Sequence, residues 1–378
     1  MLLTFLLFGG VVLQWGCRKD EPSPPAPEPA EVIAPLLPQE VFGYSEQSFP
    51  QSWLTDPALQ LFGGFSGDFE ITDGGATLGR VLFYDGQLSL DGTVSCATCH
   101  IQSRAFSDET PHSVGVSGNP TKRNAMALTN LQYQRRLFWD LRTVGLENQV
   151  LQPIEHPDEM GMDLELVTEK LKTIPYYPAL FEGAFGSDSI SLDRVSSALV
   201  QFLLSIRSYS SRFDAGLATD FANFTTSELI GKEIFFNGQT RCNQCHSGKN
   251  LFSTQPFING LELDYQAAGD AGIRDLSGSV SDDGRFKTVS LRNVGLTAPY
   301  MHDGRFASLR EVVDFYSDDI QAHPYLDERL GPTGSGPAGQ TPYVLNLSEE
   351  ERQGLVDFLE TFNDTLMTTA WWLSDPFE

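Results

Sequence analysis

The strongest constraint on this chain is a pentapeptide written twice, Cys96-Ala97-Thr98-Cys99-His100 and Cys242-Asn243-Gln244-Cys245-His246. The two copies take four of the five cysteines and two of the six histidines. Cys-x-x-Cys-His spacing serves one chemistry well: two thiols a helical turn apart each add to a vinyl group of a haem, and the adjacent imidazole meets the iron. Zinc sites and redox dithiols also use Cys-x-x-Cys pairs. Zinc knuckles, however, gather their pairs in one small unit, whereas these lie in opposite halves of the chain and each carries its own histidine. Two covalently bound haem c groups are therefore expected, one on Cys96, Cys99 and His100 and one on Cys242, Cys245 and His246.

The N-terminus is consistent with attachment outside the cytoplasm. Leu2 to Leu13 is almost wholly apolar and is followed by Gln14-Trp15-Gly16-Cys17. Residues 1–16 resemble a lipoprotein-type signal that leaves Cys17 as the lipidated first residue, although no Lys or Arg precedes the run and Gln14 replaces the usual aliphatic residue. Residues 17–45 read as a Pro-rich tether, and Arg18-Lys19-Asp20-Glu21 is either a sorting signal or an ordinary solvated linker. No later segment is long and apolar enough to span a bilayer, so membrane contact is expected only through a lipid on Cys17. The expectation is an exported protein, either periplasmic or an outer-membrane lipoprotein.

Residues 46–208 and 209–378 are each long enough for a domain and each holds one motif. A second repeat supports this division: Leu78-Gly79-Arg80-Val81-Leu82-Phe83-Tyr84 precedes the first motif and Ile230-Gly231-Lys232-Glu233-Ile234-Phe235-Phe236 the second. Helical periodicity predicts helices over Leu164 to Leu171, Leu192 to Ser208, Leu309 to Tyr316 and Ser348 to Phe362. Ser191, Ser308 with Glu311, and Ser348 with Glu351 are their start signals. No strand pattern of useful length occurs. The fold class is mainly α, two cytochrome c-like haem domains with long ordered loops. A net charge of −25 argues against nucleic acid as a partner and favours a basic or neutral one.

From about Leu78 to Phe362 the chain resembles the bacterial diheme cytochrome c peroxidases and their MauG-type relatives. The blocks that carry the resemblance are Arg123-Asn124-Ala125, Phe138-Trp139-Asp140, Gln149 to Pro153 leading to Glu159-Met160-Gly161, and Leu291-Arg292-Asn293 through Pro299-Tyr300-Met301-His302-Asp303-Gly304. The resemblance implies a peroxide-reacting haem in the N-terminal domain and an electron-transferring haem in the C-terminal one. It implies that Glu159 moves the proton of hydrogen peroxide, that Gln149 lines the same pocket, and that Trp139 lies between the haems. It also implies one calcium ion held by Asn124, Thr297 and Pro299, an oxygen-rich set.

Two departures bear on the branch of the family. Where relatives that need prior reduction carry a blocking histidine in a Ser-x-Gly-His context, this chain has Ser113-Val114-Gly115-Val116, and valine cannot ligate. His112 is offset from that position and reads as a surface imidazole. Where many relatives supply methionine to the second iron, this chain has Tyr316, as MauG-type enzymes do; the alternative is that Tyr316 is a core aromatic and that Met301 or nothing binds the iron. A phenolate favours higher oxidation states than a thioether does. Three readings follow: a peroxidase fed by a small cytochrome or cupredoxin, a MauG-type oxidase of a protein substrate, and a non-catalytic diheme electron carrier.

Overall fold

The two glycine-bearing repeats become two helix pairs. A computed structural model describes residues 32–57, 59, 70–331 and 342–378; the signal segment, Cys17 and the first part of the Pro-rich run lie outside the described residues. In the N-terminal half, α1 (Asp73–Tyr84) leads to α2 (Cys96–Cys99), the first motif, followed by α3 (Leu164–Thr173), α4 (Tyr177–Phe185) and α5 (Leu192–Ser205). In the C-terminal half, α6 (Thr226–Phe236) leads to α7 (Cys242–Cys245), the second motif, followed by α8 (Leu309–Asp314) and α9 (Glu349–Glu360). The expected caps are present. Ser191 accepts from the Arg194 backbone, and Ser308 with Glu311 and Ser348 with Glu351 close reciprocal capping boxes. Each box satisfies two backbone N–H groups that the first helical turn leaves without partners.

Helix α1 crosses α5, and α6 crosses α9, each at a glycine. A methyl group on Gly79 would overlap the Ala198 carbonyl, and one on Gly231 would overlap the Gly354 carbonyl. The repeated glycine thus lets backbone meet backbone at the same step of both halves. Around the first crossing, Leu78, Val81 and Phe83 pack with Val195, Leu199 and Phe202 and with Phe181 of α4. Around the second, Ile234 and Phe235 pack with Leu355, Phe358 and Phe362. A third cluster, Ile258, Leu261, Tyr265, Phe286 and Phe315, takes Trp139 from the first half onto its flank.

The described residues are mainly helical, with little sheet: β1 (Arg136–Leu137) pairs antiparallel with β2 (Thr143–Val144), and β3 (Pro256–Phe257) with β4 (Phe286–Lys287). The chain ends cross over. Met367, Ala370 and Leu373 join the first core, and Arg80 Nε donates to the Ser374 carbonyl at 2.6 Å. Tyr44 is buried with its hydroxyl on the Trp372 carbonyl, and Phe42 stacks on Trp372 at 4.6 Å. The segment expected to be tether up to residue 45 is therefore packed in part: Leu36 N–H donates to the Pro376 carbonyl at 2.6 Å, Leu37 lies against the first core, and Phe42 and Tyr44 follow. Its composition is Pro-rich, but its two aromatics have somewhere to go.

Gly79→Ala and Gly231→Ala should each lower stability by about 1–3 kcal/mol or more through overpacking. Gly183→Ala, in α4 where a methyl group meets nothing within 4 Å, should be neutral or stabilising by up to about 1 kcal/mol. Denaturant unfolding of the three variants checks the contrast.

Candidate functional site

Both motifs are single helical turns closed by the histidine: His100 N–H donates to the Cys96 carbonyl at 3.0 Å and His246 N–H to the Cys242 carbonyl at 2.9 Å. The ring Nδ1 of His100 lies 2.9 Å from the Phe106 carbonyl, and that of His246 lies 3.3 Å from the Leu251 carbonyl. A carbonyl only accepts, so the proton sits on Nδ1 and Nε2 keeps its lone pair for a metal. Phe106 (φ 59°) and Leu251 (φ 51°) are both left-handed, a strained conformation for side chains of that size. The strand-like bridges Ile101 with Ser107 and Ser247 with Phe252 hold the two turns. Burial lowers the pKa of both rings, that of His246 to about 4, which keeps them in the neutral, ligating form. All four motif thiols are free. Among the described residues no three His, Cys, Asp or Glu side chains gather as a metal cluster. Separate thiol pairs, each with a neutral oriented imidazole, fit two haem c groups and do not fit a shared zinc site.

Beside the first motif lies Glu159, on a loop tied by Glu159 N–H and Gly161 N–H to the His156 carbonyl at 3.0 and 2.9 Å. Its charge acts on both Cys96 and Cys99. Protein encloses the carboxyl although 31% of the side chain remains accessible. This burial raises the Glu159 pKa, while the charges of His156, whose Nδ1 is 3.8 Å from Oε1, and Arg142 pull it down. Val116, at the place of the blocking histidine, donates its N–H to the Glu159 carbonyl at 2.8 Å, and its side chain packs against Gly161 and the first core. Gln149 ends the short helix Leu146–Gln149, and no hydrogen bond joins it to Glu159 among the described residues. His112, expected at the surface, is half-buried, and its Nδ1 has no hydrogen-bond partner among the described residues.

Beside the second motif lies Tyr316. Helix α8 widens into a π-helical turn over Phe315–Asp319, and this turn carries the phenol into the third cluster. Burial pushes its pKa up to about 12, and the thiols of Cys245 and Cys242 are near enough to add to that shift. Asn259 Nδ2 is 3.4 Å from the Tyr316 hydroxyl and 3.8 Å from Met301 Sδ.

Between the motifs, the blocks that carry the family resemblance hold one another. Arg123 donates to Asp140 of its own half and, through two nitrogens at 2.6 and 2.7 Å, to Asp270 of the other. Trp139 Nε1 donates to the Asn124 carbonyl at 2.9 Å, and Asn124 N–H donates to the His302 carbonyl at 2.8 Å. Asn124 Nδ2 is anchored on the Thr110 carbonyl at 3.1 Å, which leaves Oδ1 as the acceptor end of the amide. The hydroxyl of Thr297 donates to the Val294 carbonyl at 3.2 Å, and Pro299 is buried. Among the described residues, the Asn124 N–H on the His302 carbonyl is the hydrogen bond that ties Asn124 to the segment that carries them. Lys287 is buried with its amine on Gln134 Oε1 and the Arg136 carbonyl, and burial lowers its pKa to about 7. Sequence reasoning missed His156, Arg142, Asn259 and Lys287, which lie outside any motif; His156, three residues before Glu159, had the only local signal.

Residues 73–221 match the family model described as di-haem cytochrome c peroxidase. The chain is 36% identical over 287 residues to the methylamine utilization protein MauG of Methylorubrum extorquens, covering 75% of this chain and 76% of that protein. It is 33% identical over 240 residues to the cytochrome c551 peroxidase of Nitrosomonas europaea, covering 63% and 71%. Among solved structures, a MauG-like protein associated with microbial copper homeostasis superposes with a TM-score of 0.72 at 31% identity, covering 82% of this chain and 95% of that one. The diheme peroxidase BthA of Burkholderia thailandensis shares the fold, with a TM-score of 0.64 at 22% identity over 92% and 99%.

Because the His156 charge lowers the Glu159 pKa, His156→Ala should move that carboxyl's titration to higher pH. Infrared difference spectra across pH, referenced to Glu159→Gln, check the direction.

Proposed function

The chain belongs to the di-haem cytochrome c peroxidase family, a family of oxidoreductases, and from that premise we propose that its N-terminal motif carries the peroxide-reacting iron and its C-terminal motif the iron that relays electrons. The observation that carries the assignment is the asymmetry of the two surroundings: an enclosed carboxyl, Glu159, stands by the first motif and a phenol, Tyr316, by the second. Two covalent haem c groups supply the redox chemistry. The side chains around them move protons, hold ligands and set the path between the halves.

Glu159 takes the first proton of hydrogen peroxide and returns it to the departing oxygen, which leaves as water. Its raised pKa suits both halves of that task, because a carboxylate with stronger basicity accepts the proton readily and still releases it. Val116 offers no ligand where some relatives carry a blocking histidine, so a haem held at the first motif would be ready to react in the oxidised protein. Gln149 lines this pocket. Trp139, held by Asn124 and flanked by the His302 ring at 6.4 Å, relays electrons between the halves. Tyr316 would hold the second iron. Asn124 through Oδ1, with Thr297 and Pro299 through oxygen, would hold one calcium ion.

Residues 46–208 and 209–378 form the two haem domains, joined by Arg123 and by the C-terminal residues that cross back. The protein is exported, with residues 1–16 as signal and Cys17 as the lipid anchor in the periplasm or at the outer membrane. Among the described residues no helix is long and apolar enough to cross a membrane. Electrons come from a small cytochrome or cupredoxin. Tyr316 favours a second reading, a MauG-type oxidation of a protein substrate, because a phenolate stabilises oxidised iron. An enclosed carboxyl and an open site argue against a non-catalytic carrier.

Three outcomes are expected. Stopped-flow spectra of the fully oxidised protein should change on mixing with hydrogen peroxide without added electrons; no change until reduction would mean that another residue, such as His112, closes the site. Glu159→Gln should slow that reaction by about 10²–10⁴-fold while leaving both haems attached. Tyr316→Met should raise the midpoint potential of the C-terminal haem, and an unchanged potential would remove Tyr316 as its ligand.

A further inference from the structure

The sequence leaves two competing ligands for the second iron, Tyr316 and Met301, and the same amide stands against both. The Asn259 side chain has only one arrangement that satisfies its surroundings. Its Oδ1 accepts from the Leu261 N–H at 3.3 Å and from the Tyr265 hydroxyl at 3.2 Å, so both acceptor positions are taken. The NH₂ end must then face Tyr316 Oη at 3.4 Å and Met301 Sδ at 3.8 Å. Turning the amide over would set NH₂ against the Leu261 N–H and against a Tyr265 hydroxyl that already accepts from that N–H at 2.9 Å, and, with Tyr316 bound as a phenolate, would set the carbonyl against an anionic oxygen.

The loop carrying Asn259 is stitched to the turn carrying Tyr316. Gln321 N–H donates to the Gly260 carbonyl at 2.7 Å, and Asp327 N–H donates to the Ile258 carbonyl at 3.2 Å. Gly260 is left-handed (φ 73°), and a side chain there would strike the Gln321 carbonyl and Ile320. Tyr265 is fully buried against Gly284 and so holds its hydroxyl on Asn259. Donor and acceptor therefore keep one relative position.

We propose that Asn259 is a positioning residue that draws charge from the Tyr316 oxygen at the second motif, an inference that rests on reading Tyr316 as the ligand there. An amide N–H bonds well to an anionic oxygen and poorly to a thioether sulfur, so of its two neighbours the donor acts on Tyr316 and does little at Met301. Tyr265 acts one step further out, through the orientation of the amide.

The test is a double-mutant cycle on the fully loaded protein, read by potentiometric titration of the C-terminal haem and by the phenolate-to-iron absorption band. Asn259→Leu should shift the ferric-to-ferrous equilibrium towards ferric about tenfold, a fall of 59 mV for a one-electron couple, and should move the band. In combination with Tyr316→Met the same substitution should change the potential little, because its partner is gone. Tyr265→Phe should reproduce the shift with the same sign and smaller size, which keeps the inference testable if Asn259→Leu does not accumulate. If Tyr316→Met alone leaves the potential unchanged, the ligand reading itself fails. If Tyr316→Met moves the potential but Asn259→Leu has no effect, or the same effect in both backgrounds, the role of Asn259 is refuted and the ligand stands.

Discussion

The rest of this structure depends on a hydrogen bond made twice, from the Nδ1–H of a motif histidine to a backbone carbonyl five or six residues further on. Without it the imidazole turns freely and either nitrogen carries the proton. With it, Nε2 of His100 and of His246 is deprotonated and aimed. Both halves reach the bond the same way, by forcing a large buried residue, Phe106 or Leu251, into the left-handed region. That strain costs roughly 1–3 kcal/mol each time, and the glycine-closed helix crossings behind the motifs are the rigid frame against which it is held.

Built on one frame, the halves differ in what faces each motif. The first is met by a carboxyl whose basicity burial has raised, on a loop that Val116 ties in place. The second is met by a phenol presented by a widened helical turn. One motif thus has a buried acid for a neighbour and the other a buried phenol. Trp139 stands at the junction with its indole N–H committed to Asn124, and Asn124 is in turn bonded to the segment of His302. Residues distant in sequence are therefore mutually positioned.

Much of this was legible in the sequence. The motifs announced the thiol pairs, the two similar segments before them announced a repeated helix though not its crossing partner, and Ser191, Ser308 and Ser348 marked helix starts because capping is local chemistry. The family resemblance supplied Glu159, Trp139 and Tyr316. What was not legible depends on long-range contact. Asn259 is an unremarked loop residue until Tyr265 and Leu261 fix its amide, and Lys287 reads as an ordinary strand lysine until burial removes its solvent. Phe42 and Tyr44 were hidden in a Pro-rich run whose composition suggested tether, and the return of the chain end through Met367, Ala370 and Leu373 has no periodic signature.

The central claim is that the two irons have different coordination, the first with one protein ligand and the second with two. Electron paramagnetic resonance of the fully oxidised, fully loaded protein tests it most directly. The account predicts one five-coordinate, high-spin ferric signal and a second, distinct signal from a six-coordinate centre. Two six-coordinate, low-spin centres would mean that the first iron carries a second protein ligand, and would contradict it.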